Sequence, residues 1–131
     1  MVVNPANRSV PERKLGRPAD SDSTDTRDRI LRNACERFAA EGFEGTTNKD
    51  IAEKAQVSSA ALYHYFPSKA DMYIAVCDSI TESFSTVFQK VADCSPTLEG
   101  RMTALFAEVG RLGDESPEIV GFITGISAVL R

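Results

Sequence analysis

Residues 47–69 read TNKDIAEKAQVSSAALYHYFPSK. Two short helices joined by a tight turn are written there. Thr47 is placed to cap the first, with Asp50 at the third helical position to return a bond to the cap. Ile51, Ala52 and Ala55 make its apolar side. The chain then turns through Gln56 and Val57, and Ser58 caps a second helix of about two turns. Pro67 ends that helix, because it has no N–H to donate.

The second helix carries its aromatic rings unusually, at four consecutive positions, Tyr63, His64, Tyr65 and Phe66. At about 100° per residue, Leu62 and Phe66 fall on one side, which must be the core side. Ala60, Ala61 and His64 turn away from it, and Tyr63 and Tyr65 flank it. Such an outward face suits a DNA major groove. Alanines let the backbone come close, and their methyls can meet a thymine methyl. His64 can donate or accept at a base edge. Thr47, Ser58 and Tyr63 offer hydroxyls to phosphate oxygens, and Lys49 reaches out from the first helix. Lys69 and the free amides that open the next helix add a phosphate seat. This is a helix-turn-helix pattern. The same residues also describe an ordinary helical bundle with a solvated histidine and half-packed tyrosines.

Working outward, an earlier helix is predicted from about Asp25 to Glu41, with Ile30, Leu31, Ala34, Cys35, Phe38 and Ala39 as its core stripe. Gly42 suits the left-handed position that ends a helix, and Phe43 folds back as an anchor. After Pro67, Ser68 and Asp71 start a long helix ending near Cys94, with Met72, Tyr73, Val76, Ile80, Phe84, Val87, Phe88 and Val91 along one side. Two further helices are predicted from Ser95-Pro96 and Ser116-Pro117, each a serine cap followed by proline. The first carries Leu98, Met102, Leu105, Phe106, Val109 and Leu112 and closes at Gly113. The second, from Ile119 to Leu130, is apolar nearly all round and should be buried. Little chain remains to bury it, so the sequence reads as incomplete. Nothing alternates like a strand. The fold class is all-α: a disordered basic arm over residues 1–23, a helix-turn-helix domain over 24–70, and part of a helical regulatory domain over 71–131.

The segment from Thr26 to Val76, TRDRILRNACERFAAEGFEGTTNKDIAEKAQVSSAALYHYFPSKADMYIAV, resembles the N-terminal domain of the tetracycline-repressor (TetR) family. The resemblance lies in ILxxAxxxFAxxGF, TTxxDIAxxAxVS and ALYxYFxSK and runs without a gap. It implies an all-helical, homodimeric transcription regulator, usually a repressor, whose C-terminal helices form a ligand pocket and a dimer interface. Carried over by position, the recognition-helix contacts fall on Ser59, Ala60, Ala61, Tyr63, His64 and Tyr65. The phosphate contacts fall on Thr47, Tyr63 and Lys69, and a base contact on Lys49. Two positions depart from the pattern. Gln56 stands where many members have glycine, and Ser59 where many have lysine or arginine. Lys14-Leu15-Gly16-Arg17-Pro18 looks like the Gly-Arg-Pro core of minor-groove arms, which would put Arg17 in a narrow A/T-rich groove. Phe84, Phe88, Met102, Phe106 and Phe122 are the candidates for lining an effector cavity.

Charge agrees with such a partner once its distribution is read. The net charge is −4. Residues 1–18 hold four basic residues against one acidic, a net +3, while the remainder has 11 basic and 18 acidic residues, a net −7. Phosphate contacts are local, because charges beyond about 10 Å are largely screened at ordinary salt. No apolar run approaches a membrane span and the N-terminus has no secretory pattern, so a cytoplasmic protein is expected. Cys35, Cys77 and Cys94 are widely spaced and His64 is the single histidine, which predicts neither a metal site nor a cofactor. No phosphate-binding loop, no HExxH and no partner for a nucleophile is present, so an enzyme is not expected. The leading expectation is a ligand-responsive regulator binding a palindromic duplex operator as a homodimer. The alternative is a truncated fragment acting by protein–protein interaction with a full-length relative.

Overall fold

The computed structural model describes the backbone of residues 19–129 and the side chains of residues 22–126. Among the described residues there are six helices: α1 (Ala19–Gly45), α2 (Asn48–Lys54), α3 (Ser59–Tyr65), α4 (Lys69–Cys94), α5 (Leu98–Glu115) and α6 (Pro117–Val129). No strand occurs among the described residues. The all-α expectation holds.

One core unites five of the six helices. Ile30, Ala34 and Phe38 of α1 meet Ile51 and Ala52 of α2, Leu62 of α3, Met72 and Val76 of α4, and Ile119 and Phe122 of α6. α1 is the hub, packing on α2, α4 and α6. The i, i+4 spacing of Ile30, Ala34 and Phe38 explains this, since it lays three apolar side chains in one row.

α1 starts at Ala19, so residues 19–23 belong to a helix and not to the arm, and the predicted start at Asp25 is too late. Thr26 Oγ1 already donates to the Asp22 carbonyl, 2.8 Å away, one turn back. Periodicity could not find this stretch, because Ile30 is the first buried side chain among the described residues and no large apolar residue marks the turns of α1 before it. Two contacts tie the stretch down. The Tyr65 hydroxyl donates to Ser23 Oγ at 3.4 Å, and the Arg27 guanidinium lies 5.3 Å from the centre of the Phe66 ring. At its other end α1 breaks at Gly42, whose φ of 70° and ψ of 178° suit glycine alone. Phe43 then returns to the core, stacked 5.9 Å from Phe38 and edge-on to Tyr73 at 5.3 Å. The buried Thr46 hydroxyl donates to the Gly42 carbonyl at 2.8 Å and so closes the corner.

α5 departs from the sequence reading at both ends. Its cap is Thr97, whose Oγ1 accepts from the Gly100 amide at 3.2 Å, and the predicted Ser95-Pro96 start is displaced by two residues. Ser95 ends α4 in extended backbone, and its hydroxyl accepts from the Thr97 amide. Gly100 admits this arrangement, since a Cβ there would stand 2.2 Å from Ser95 Oγ. The helix runs through Gly113 to Glu115, held by Arg111 bridging Glu108 and Glu115 on its surface. No residue of α5 is fully buried; Leu98 is 78 % and Phe106 71 % exposed. α6 also falls short of complete burial. Ile119 and Phe122 are enclosed, while Val120 faces outward.

Candidate nucleic-acid interface

The interface is assembled from three helix starts, each fixed by its own cap. At α2, Thr47 Oγ1 accepts from the Asp50 amide, and the Asp50 carboxylate accepts from both the Thr47 amide (3.2 Å) and the Thr47 hydroxyl (2.6 Å). These two bonds, with the positive Arg37 and Lys49 nearby, hold the Asp50 carboxyl below its ordinary range. At α3, Ser58 Oγ accepts from the Ala61 amide at 3.1 Å. At α4, Ser68 Oγ accepts from the Asp71 amide at 3.1 Å and donates to its carboxylate at 2.6 Å. All three caps stand where the sequence put them.

Between α2 and α3 the chain reverses in two residues. Val57 donates to the Ala52 carbonyl at 2.9 Å, and Gln56 to that of Glu53 at 3.1 Å. Gln56 carries φ of 56°, alone in that region among the described non-glycine residues. The turn that many TetR sequences fill with glycine therefore keeps its left-handed backbone here, at a steric cost.

The predicted division of α3 is present. Leu62 and Phe66 are buried, Ser58, Ser59, Ala60, Tyr63 and His64 are exposed, and Ala61 is half-buried. Lys49 is exposed on the first turn of α2. Tyr63, 49 % exposed, accepts from Asn48 Nδ2 at 3.0 Å. Its oxygen is thus occupied as an acceptor while its own hydrogen remains free to donate outward. Asn48 was missed by sequence reasoning; only its place beside Thr47 and Lys49 in the first turn hinted at it. It joins α2 to α3, so the two helices present their side chains as one piece.

Three carried-over residues do more inside the protein than expected. The Thr47 hydroxyl already donates to Asp50. Tyr65 is half-buried, with its hydroxyl on Ser23 and its ring 5.4 Å from that of His64, edge to face. Lys69 is turned inward: Nζ donates to the carbonyls of Phe43 (2.8 Å) and Thr46 (3.1 Å) and lies 4.3 Å from the centre of the Phe43 ring. It clamps the α1–α2 corner to the start of α4, leaving one of three ammonium hydrogens for any phosphate. Arg17 lies outside the described residues.

The five effector candidates are not brought together. Phe122 is buried and Phe84 half-buried, whereas Phe88, Met102 and Phe106 are exposed on α4 and α5. A cavity of about 650 Å³ does exist, but between the end of α1, α4 and α6, walled by Phe38, Phe43, Tyr73 and Phe122. A smaller one of about 290 Å³ lies between α1, α4 and the start of α6 beside Cys35 and contains none of the five. The stripe on α5 points outward, so spacing on one helix could not reveal where the cavity falls.

No group of three or more metal-ligating side chains occurs among the described residues, and no described helix is long and apolar enough to cross a membrane. Burial, with the nearby Glu118 and Glu36, pushes the Cys35 thiol up to about 12, and burial also raises Cys77. Both are poor nucleophiles.

Residues 30–76 match the family model of bacterial regulatory proteins, tetR family. The HTH-type transcriptional regulator TcmR of Streptomyces glaucescens is 31 % identical over 84 % of this chain and 48 % of its own length. The HTH-type transcriptional repressor KstR2 of Mycolicibacterium smegmatis is 34 % identical over 61 % of this chain and 39 % of its own. A crystal structure described as a tetR family transcription regulator from Shewanella sp. PV-4 superimposes with a TM-score of 0.63 at 25 % identity, over 74 % of this chain and 52 % of that one. The chain spans about half the length, or less, of these relatives.

Proposed function

Because the chain belongs to the TetR family of bacterial regulatory proteins, whose relatives here are helix-turn-helix transcription regulators rather than enzymes, we propose that it is a cytoplasmic, ligand-responsive repressor that binds a palindromic operator as a homodimer. The observation that carries this reading is the outward face of α3. Small and exposed at Ser59 and Ala60, it is backed by fully buried Leu62 and nearly buried Phe66, so the helix can enter a major groove without loosening from the core.

In this reading Ala60 and Ala61 meet thymine methyls, and His64 reads a base edge. Lys49 makes a further base or phosphate contact, Ser58 and the free hydrogen of Tyr63 take phosphate oxygens, and Arg17 enters the minor groove beside the site. Thr47, Tyr65 and Lys69 act first as positioning residues, by the bonds described above. Two copies related by a two-fold axis would set their α3 helices about 34–36 Å apart, one turn of duplex. A ligand that favours a conformation with another spacing lowers affinity for the operator. The exposed apolar face of Phe88, Leu98, Met102 and Phe106 supports association with another chain. It equally supports a second reading, a mixed dimer with a longer relative.

Selection of bound duplexes from a random pool tests the proposal. Enriched sequences should contain two inverted half-sites with centres about 10–10.5 base pairs apart or a multiple of that. Enrichment of one isolated half-site removes the homodimer, and no enrichment removes the operator. Light scattering of the protein alone and mixed with a relative separates homodimer from mixed dimer.

A further inference from the structure

The cavity of about 650 Å³ at the α1–α4–α6 corner lies within the ordinary range for small-molecule sites, about 300–1,000 Å³. Its walls are chiefly aromatic. Phe38 and Tyr73 meet edge to face at 5.0 Å, and Tyr73 leans on Phe122 at 5.2 Å. Glu41 and Glu44, both exposed, stand among the lining residues, and no lysine, arginine or histidine does among the described ones. The Lys69 ammonium, bonded to the Phe43 and Thr46 carbonyls, already lies on one face of the Phe43 ring, so the carboxylates of Glu41 and Glu44 must supply the attraction for a second cation. Aromatic faces and carboxylates attract the same thing, a positive charge on an apolar body. Anions and sugars are disfavoured by the same walls.

We propose that this corner is a binding site for an amphipathic organic cation, an aromatic or alicyclic amine, lying against the half-buried Phe43 and Tyr73 over the enclosed Phe38 and Phe122, with its charge toward Glu41 and Glu44. The site shares Phe43 with the Lys69 clamp, and the clamp fixes Thr46, one residue before the α2 cap. An occupant therefore bears directly on the segment that positions α2. This deepens the ligand-responsive part of the proposed function and rests on it for its biological use. The test uses no DNA, so its failure is separate from failure of operator binding.

The probes are diphenylpropylamine, protonated at neutral pH, and diphenylpropanol, its uncharged counterpart, titrated calorimetrically into the full chain. The amine should saturate one site with Kd below about 1 mM, in keeping with roughly 0.3 kcal/mol per heavy atom. The alcohol should bind about fivefold more weakly, the upper end for an exposed ion pair. The double variant Glu41→Gln, Glu44→Gln, changed only at exposed positions, should erase that difference. Gly125→Leu should weaken the amine at least tenfold by filling the cavity, since a Cβ there meets only the Ala39 carbonyl at 3.8 Å. The amine should also shift the Thr46 amide resonance. Absence of saturable binding, equal affinity for both probes, or a charge preference that survives the double variant overturns the site.

Discussion

The α1–α4 head and the α5 face are built on opposite plans. In the head, the large side chains at the centre of the inward rows are enclosed: Ile30, Ile51, Leu62 and Met72 are fully buried. On α5 a stripe just as regular, Leu98, Met102, Phe106 and Val109, faces solvent. Periodicity alone does not distinguish the two. A periodic stripe states that a helix has an apolar side, and another element must supply the cover. The head supplies most of its own, through three caps and one short turn, and Ile119 and Phe122 of α6 complete it. α5 receives only partial cover, at Ala104, Leu105 and Leu112, through its contacts with α4 and α6.

This contrast can be broken by mutation. Leu62→Ala should cost about 2–5 kcal/mol in urea unfolding, as a large side chain removed from a closed core does. Phe106→Ala should stay within about 0.5 kcal/mol for the isolated chain. A Phe106 effect that rises with protein concentration would show that a second copy covers α5, and equal effects at both sites would end the comparison.

Next in size is the clamp. Lys69→Met should cost about 1.5–3 kcal/mol, because it removes two charge-assisted bonds and leaves two carbonyls short of a partner. DNA titration over a range of salt adds a second reading. A slope unchanged from the parent makes Lys69 purely a clamp, and one shallower by about 1 per head restores a phosphate contact.

Gln56→Gly should stabilise the head by about 0.5–1 kcal/mol, since relief of the left-handed backbone exceeds the added freedom of the unfolded chain. A loss instead would mean that the Gln56 side chain makes a compensating contact.

The smallest effect belongs to Asp50. Its folded carboxyl titrates below the ordinary 3.8, so its contribution is complete above that value and is lost as pH falls through the lowered one. Asp50→Asn should therefore lower stability by a constant amount above that value and lose its effect as pH falls below it, which flattens the acid limb. An unaltered acid limb would show that the α2 cap works without this carboxylate.

What was legible in the sequence divides along the same line. Thr47, Ser58 and Ser68 were readable as caps because a cap is a bond between residues three apart. The inward row of α3 was readable because one helix turn sets it. The inward turn of Lys69 was not, since its acceptors at Phe43 and Thr46 lie more than twenty residues away in sequence. Nor was the cavity, which needs three helices in place. The α5 start shows a local failure. Two hydroxyl residues on either side of Pro96 could both cap, and only the backbone chose Thr97 over Ser95.

The protein has three tyrosines and no tryptophan. Tyr63 and Tyr65 sit on α3, and Tyr73 walls the corner cavity. Every intrinsic fluorophore thus reports on one half of the molecule. Quenching by a duplex and quenching by an amine would arise from different rings, so single Tyr→Phe replacements convert the unlabelled protein into two separate optical sensors.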